Sequence, residues 1–304
     1  MAAEFDRSSS NIQSLSGTGS AKFTEGDRNA IAREITFTET DKVVRLRGDE
    51  PTVWDSRARA RAGEIDWDTK ASRSAFRAGV STTYYSRKQM KDATPFATGN
   101  KPVYVTANSA EFDHEAELAV FIKDARGWQD DNYVRGDRLV IDQANGRLLV
   151  EGNIKSQLYN LRSAKRSAIP VSASAASLFY DRDKRLLRYN GSVDIRQGTD
   201  RITAGTANVF LTDDNEVAKT IAENNVVISQ PGRRAAGTWV QYVASDESVV
   251  MRGEPATVSD AKNGSTQSGQ ITFNMRENRV LSEARTADNV SGRTRSVYRT
   301  KPDQ

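Results

Sequence analysis

The sequence predicts an all-β fold assembled from about eight degenerate copies of one short unit. Three observations carry that expectation. One pattern of residue types recurs along most of the chain. The stretches between its copies alternate apolar and polar residues. No stretch shows the 3.6-residue apolar spacing of an amphipathic helix. The repetition is plainest in two distant segments, "RLRGDEPTVWD" from Arg45 to Asp55 and "VMRGEPATVSD" from Val250 to Asp260. Each has an apolar residue, Arg-Gly, an acidic residue, a Pro, a Thr-Val pair and a closing Asp.

The unit reads as a small residue, an apolar one three positions on, an aromatic or aliphatic one at five and usually a polar one at six. It occurs at Ala32 (Ile35, Phe37, Thr38), Ala62 (Ile65, Trp67, Asp68), Ala107 (Ala110, Phe112, Asp113), Gly136 (Leu139, Ile141, Asp142) and Ala175 (Leu178, Tyr180, Asp181). Looser copies begin at Ala204 (Ala207, Val209), Ala236 (Trp239, then a displaced Tyr242) and Ser268 (Ile271, Phe273, Asn274). Starts lie roughly 30 residues apart, stretched where loops intervene. Between them lies a second element, an alternating run broken by Gly or Asn, as in "RLLVEGNIKSQLYN" and "RLLRYNGSVDIRQG".

Alternation of this kind, as in Val193-Asp194-Ile195, marks a strand with one buried face. Turn residues punctuate the runs: "QANG", "DRDK", "TDDNE", "SDES", "RENR". Gly inside a strand marks a bulge or sharp bend, and the Pro of "GDEP" and "GEP" lacks an amide donor, so it belongs at an edge or bend. Each copy is thus one rung, roughly two strands long, and a rung is stable only when stacked on its neighbours. "DATPFATGNK" and "NLRSAKRSAIP" read as loops that break the array near residues 90 and 165. The organisation expected is a disordered or appended tail over 1–18, a first half over 19–162, a linker over 163–170, a second half over 171–290, continuous with the first, and a polar tail over 291–304.

Composition narrows the functional classes. Of 304 residues, 44 are Lys or Arg and 40 Asp or Glu, a net charge of +4 with both signs interleaved. Nucleic-acid binders gather such charge on one face, so no nucleic-acid partner is expected. With no Cys, disulfides, Cys-ligated zinc and a thiol nucleophile are excluded. No apolar run approaches the ~18 residues of a membrane helix. The start, "MAAEFDRSSSNIQSLSGTGS", has no apolar core and is not read as a signal peptide. If the protein is exported, its signal or anchor lies outside this sequence.

Catalytic chemistry has little to stand on. His114 is the only His. It sits in "EFDHEAE" beside Asp113 and Glu115, at an expected turn. Acidic pairs such as Asp66/Asp68 and Asp213/Asp214 also fall at turns, where carboxylates cap and solvate. Walker, dinucleotide and calcium-loop motifs are missing. The expectation is no enzyme, no catalytic residue, no cofactor and no metal.

Two sets of side chains remain. On a strand, Arg57, Arg59 and Arg61 of "SRARARAG" project from one face and are candidate phosphate contacts; the alternative is a solvated outer face that discourages aggregation. Strand parity turns the apolar positions of the unit inward, either as plain core or as the lining of an open trough.

The repeats resemble the periplasmic lipopolysaccharide-transport proteins, the OstA-like group that includes LptA and LptC. "SAASLFYDRDKRLLRYNGSVDIRQGTDRITAGTANVFL", Ser174 to Leu211, and "GSAKFTEGDRNAIAREITFTETDKVVRLRG", Gly19 to Gly48, carry the likeness best. The segment from Val44 to Ser86 resembles the LptC-like section of longer members. The resemblance spans about residues 19 to 290. It implies an antiparallel open β-roll, also called a β-taco or β-jelly roll. It implies a non-enzymatic periplasmic bridge that carries lipopolysaccharide, through its lipid A, to the outer membrane. It further implies head-to-tail strand pairing with other proteins of this kind, or with itself. On this reading acyl chains lie against Ile35, Phe37, Ile65, Trp67, Phe112, Leu139 and Ile141, then Leu178, Tyr180, Val209, Trp239, Ile271 and Phe273. The alternatives are a parallel β-helix acting on polysaccharide, a ligand-free structural or adhesive β-solenoid, and an outer-membrane barrel. The charged outward faces and lack of aromatic girdles place the barrel last.

Overall fold

Paired residues with left-handed backbone bend almost every second strand of this protein near its middle. The molecule is seen in a computed structural model that describes residues 2–5, 12–85, 101–159, 169–213, 216–262, 264–274, 279–284 and 294–298. Every regular element among them is a β-strand, and the described strands pair antiparallel with their neighbours. The all-β, antiparallel expectation therefore holds, and the parallel β-helix does not. Two compact units divide the chain at residue 152.

The first unit holds β1 (Ala2–Phe5), β2 (Ile12–Glu25), β3 (Arg28–Thr38), β4 (Val43–Arg47), β5 (Thr52–Trp54), β6 (Ala58–Asp68), β7 (Arg73–Tyr84), β8 (Val103–Ala107), β9 (Ser109–Asp113), β10 (Leu118–Gln129) and β11 (Asn132–Asp142). Strand β12 (Arg147–Leu158) runs across the division. The second unit continues with β13 (Val171–Asp181), β14 (Leu186–Gln197), β15 (Asp200–Leu211), β16 (Val217–Gln230), β17 (Arg233–Val243), β18 (Ser248–Asp260), β19 (Gly264–Asn274), β20 (Arg279–Glu283) and β21 (Arg295–Tyr298). In each unit the strands meander, each pairing with the next. Strands β4 and β5 are two halves of one bent strand, since both lie between β3 and β6. Strands β8 and β9 bridge β7 and β10 in the same way.

The corners explain the spacing of the repeat. Six strands each place two consecutive residues at positive φ: Gly19–Ser20, Ala78–Gly79, Lys123–Asp124, Gly152–Asn153, Gly191–Ser192 and Asn224–Asn225. The ladder skips there, and the partner strand carries the small residue of the unit. Parity flips across a bulge, so inward residues stand three apart instead of two. Ala62, Ile65 and Trp67 obey this, as do Gly136, Leu139 and Ile141, and Ala204, Ala207 and Val209. The two repeated sentences are both corners. In the first, Gly48, Asp49 and Glu50 all have positive φ, and Pro51 follows before β5 starts. In the second, Gly253 to Pro255 fills the ladder skip between Arg252 and Ala256.

Bending folds each unit's strands into two facing layers. In the first unit one layer holds Phe23, Ala30, Val53, Ala60 and Thr82; the other holds Val44, Leu46, Ile65, Trp67 and Phe76. The rings of Phe23 and Trp67 meet across the fold with centroids 6.0 Å apart. In the second unit the inward rows include Leu178, Tyr189, Val193, Ala207, Val226, Val240, Met251 and Ile271, each at most 3 % exposed. The interleaved charges face out and pair: Arg77 holds Asp66 at 2.6 Å, and Arg196 and Arg201 hold Asp194 at 2.8 and 2.9 Å.

The expected ends need correction. Residues 12–18 are not tail but the first half of β2, with Ser14–Thr18 paired to Glu34–Thr38 because Leu15 and Gly17 continue the ladder of β3. Arg295–Tyr298 form β21 on the edge of β19. The loops expected near residues 90 and 165 fall largely on 86–100 and 160–168, outside the described residues.

The corners should be the most substitution-sensitive positions of the second unit. Gly191 has φ +80°, and a Cβ there would stand 2.7 Å from Ala176 Cβ. Gly191→Val should cost about 2–5 kcal/mol from backbone strain and overpacking together. Urea unfolding would measure it, with the exposed strand position Arg188→Val as the mild comparison.

Candidate functional site

The packing defect of the first unit follows from residue size. Its first layer turns Ala30, Ala58 and Ala60 inward, opposite the bulky Leu46, Ile65, Trp67 and Phe76 of the second. Small residues on one wall leave a space that the other wall does not fill. The result is a mostly apolar cavity of about 300 Å³, within the range of small-molecule sites. Phe23, Val44, Val103, Phe112, Ala119 and Ile141 complete its walls. Toward β11 and β12 the space closes, because Val105, Val134, Leu139 and Leu148 meet there.

The cavity opens along the seam between the strand tips of the two layers. Arg28, Trp54, Asp55, Arg57, Tyr84 and Tyr85 stand on one lip; Asp113, His114, Glu117 and Gln143 stand on the other. Arg28 reaches across the seam, its guanidinium 5.4 Å from the centre of the Trp67 ring. The second unit has a matching contact, Arg233 over Phe273 at 6.0 Å. On the far lip Ser74 Oγ and His114 Nε2 are 2.8 Å apart, and Arg73 Nε donates to Asp113 at 3.0 Å. Half-buried Tyr84 has its phenol pushed above the usual range, by burial first and the Asp55 charge second. Deeper in, Thr82 is 1 % exposed and lines the same cavity.

Of the residues chosen from sequence, Ile65, Trp67, Phe112 and Ile141 line the cavity. Ile35, Phe37 and Leu139 share the same inward rows but lie outside its walls. In the second unit Leu178, Tyr180, Val209 and Ile271 are buried, and Phe273 continues the inward row with Val249. Trp239 does not join them. It is in register with Glu223 and Arg252 on the outer face, and the Arg252 guanidinium lies over its ring at 4.8 Å. The corner of β17 falls one residue later than the repeat suggested, so Gly237, Val240 and Tyr242 are the true small, apolar and aromatic positions.

The three arginines are not brought together. Arg57 precedes β6 on the lip of the cavity, with Asp55 Oδ2 3.7 Å from its Nε. Arg59 and Arg61 alternate with inward Ala60 and Ala62 and so face solvent on the outer side, Arg61 standing 3.7 Å from Glu50. Sequence reasoning missed Phe23, Val44, Leu46, Phe76, Tyr84 and the Ala wall. Their signal was present as simple alternation in the strands returning between copies of the repeat, such as Val44-Arg45-Leu46. Among the described residues no three His, Asp or Glu side chains gather as a metal site.

The lip also carries the one histidine. His114 is exposed as a residue, but its ring stacks on Phe112 with planes 14° apart. Partial burial of the ring lowers its pKa from the ordinary value; Arg28 acts the same way, and Asp113 and Asp55 oppose. A His with a lower pKa folded than unfolded binds its proton better when unfolded. Its contribution to stability is therefore complete above about pH 6.5 and is lost as the pH falls below that value. Urea midpoints taken between about pH 7.5 and 5.5 should drop more steeply for the native chain than for His114→Gln. Parallel slopes would remove His114 from the pH response.

Comparison with known proteins finds similarity over part of the chain. Residues 172–279 match the family model described as LptA/(LptD N-terminal domain) LPS transport protein. No curated protein matches the chain significantly. Among solved structures, LptH, the LptA homologous periplasmic component of the lipopolysaccharide transport device from Pseudomonas aeruginosa, is similar at 19 % identity with a TM-score of 0.38, over 44 % of this chain and 96 % of that one. Residues 172–279, with their corner-bent antiparallel strands, are thus similar to the LptA/LptD N-terminal-domain family of lipopolysaccharide-transport proteins.

Proposed function

We propose that this protein is a periplasmic, non-enzymatic carrier of lipopolysaccharide toward the outer membrane, holding acyl chain in the cavity of the first unit. The observation that carries the reading is an apolar cavity of about 300 Å³ with a polar, mixed-charge lip, in a chain whose second unit matches a lipopolysaccharide-transport family. A lipid tail cannot cross water uncovered, since each exposed methylene costs about 0.8 kcal/mol. Two facing layers supply cover, and a seam lets the tail enter sideways while the sugar stays in water. The lip supports this division. Arg28 and Arg57 suit phosphate oxygens, and Trp54, Tyr84 and Tyr85 suit the boundary between hydrocarbon and water. On this reading the inward rows of the second unit, Leu178, Tyr180, Val209, Ile271 and Phe273, serve as acyl contacts when that unit is loaded.

Partners of the same fold join by strand addition in this proposal. Residues Gly17–Glu25 of β2 pair on one side only among the described residues, with β3. At the other end, β20 and β21 are short edge strands on β19 with Val280, Leu281 and Val297 about half exposed. Bare edges and exposed apolar residues together invite another strand.

Two measurements test the proposal. A photo-crosslinking residue at Phe112 or Leu178 should capture lipopolysaccharide acyl chains, whereas one at outward Arg59 should not; capture at Arg59 alone would overturn the assignment. Ala58→Phe or Ala60→Phe, which fill the small-residue wall, should weaken acyl-probe binding about tenfold or more, equivalent to about 1.4 kcal/mol. For the edges, light scattering over a wide dilution series should show mass rising with concentration. A constant monomer mass would count against free strand edges.

A further inference from the structure

The walls of the cavity hold one hydroxyl with nothing to bond. Thr82 lies on β7 between Ala60 of β6 and Val105 of β8, and its side chain faces the cavity. It is 1 % exposed, and among the described residues its Oγ1 is the one buried side-chain polar atom that makes no hydrogen bond. The other buried polar side chains of this unit are engaged. Ser74 bonds His114, and Gln129 donates to the Lys101 carbonyl. A buried hydroxyl left unpaired costs free energy that the isosteric Val would avoid. A Thr there is a liability unless a guest atom meets it.

Position defines the guest. Thr82 lies two residues below Tyr84 at the lip, about 7 Å deeper along the strand. Its neighbours on the inward face, Ala60 and Val105, are apolar. An oxygen at that depth therefore belongs to the tail rather than to a headgroup in water. The volume limits the tail to one. A cavity of ~150 Å³ accommodates a benzene ring, and this one is 300 Å³.

We infer that the cavity of the first unit takes a single aliphatic chain bearing a hydrogen-bonding oxygen, a chain hydroxyl or an ester, and that Thr82 Oγ1 is its specificity contact. This deepens the carrier reading and rests on it. A tail oxygen buried in an all-apolar cavity would lose its water bonds without return. Thr82 restores one of them, so oxygenated tails are favoured over plain hydrocarbon.

The test titrates the intact chain with dodecanoic acid and with mono-hydroxylated dodecanoic acids whose hydroxyl moves along the chain; a dodecanoate ester presents the other source. At least one oxygenated probe should bind about threefold to tenfold tighter than dodecanoic acid. Thr82→Val should erase that preference, and should raise the melting temperature of the empty protein. Thr82→Ser, which keeps the hydroxyl, should retain the preference. Equal binding of all probes by the native chain, or a preference that survives Thr82→Val, overturns the role of Thr82 and leaves the carrier reading standing. If no tail binds the native chain, both fall. A hydroxyl isomer or the ester as the preferred probe tells which oxygen Thr82 meets.

Discussion

The structure depends on one steric constraint, the close approach of neighbouring strands at their corners. A left-handed pair on one strand lies against a small residue on the next: Gly191 against Ala176, Asn224 against Gly205, Ala78 against Gly63. A Cβ added at Gly63, Gly191 or Gly205 would meet its neighbour at 2.7 Å, closer than real contacts allow. Because each corner stacks on the next, the bend is shared along a unit and is not a local accident. It turns a flat meander into two layers with their apolar rows facing.

From that constraint follow both the core and its gap. Where both layers carry large residues, as around Leu139, Leu148 and Val134, the interior closes to ordinary density. Where Ala30, Ala58 and Ala60 oppose Ile65 and Trp67, it does not. A cavity of this kind forgoes dispersion contacts and is destabilising in itself. It lies beside a polar, mixed-charge lip, the arrangement on which the carrier proposal rests. The unpaired hydroxyl of Thr82 adds to that cost.

The outer faces perform the complementary task. Arginines alternate with inward small residues on β6, and acids and bases pair across strands, as Asp66 does with Arg47 and Arg77. Such pairs add little stability at the surface. They leave the sheet faces charged, whereas the edge strands β20 and β21 present Val280, Leu281 and Val297.

Much of the fold was legible from the chain alone. Alternation assigned the strands, and the three-residue step from Ala62 to Ile65 encoded the bulge, because parity reverses wherever an extra residue enters a ladder. The same local rule placed Ile65, Trp67, Phe112 and Ile141 on the inner face correctly. It failed at Trp239. There Ala236 and Gly237 are both small, and only pairing with Met251 and Val226 decides which one is the corner. Tertiary structure alone decided where the interior is hollow and which arginine reaches it. A void is a property of two walls, and Ala60 and Trp67 become opposed only when the sheet folds over. The orphan hydroxyl is of the same kind: whether Thr82 has a partner depends on every atom that surrounds it in space, and sequence order does not carry that information.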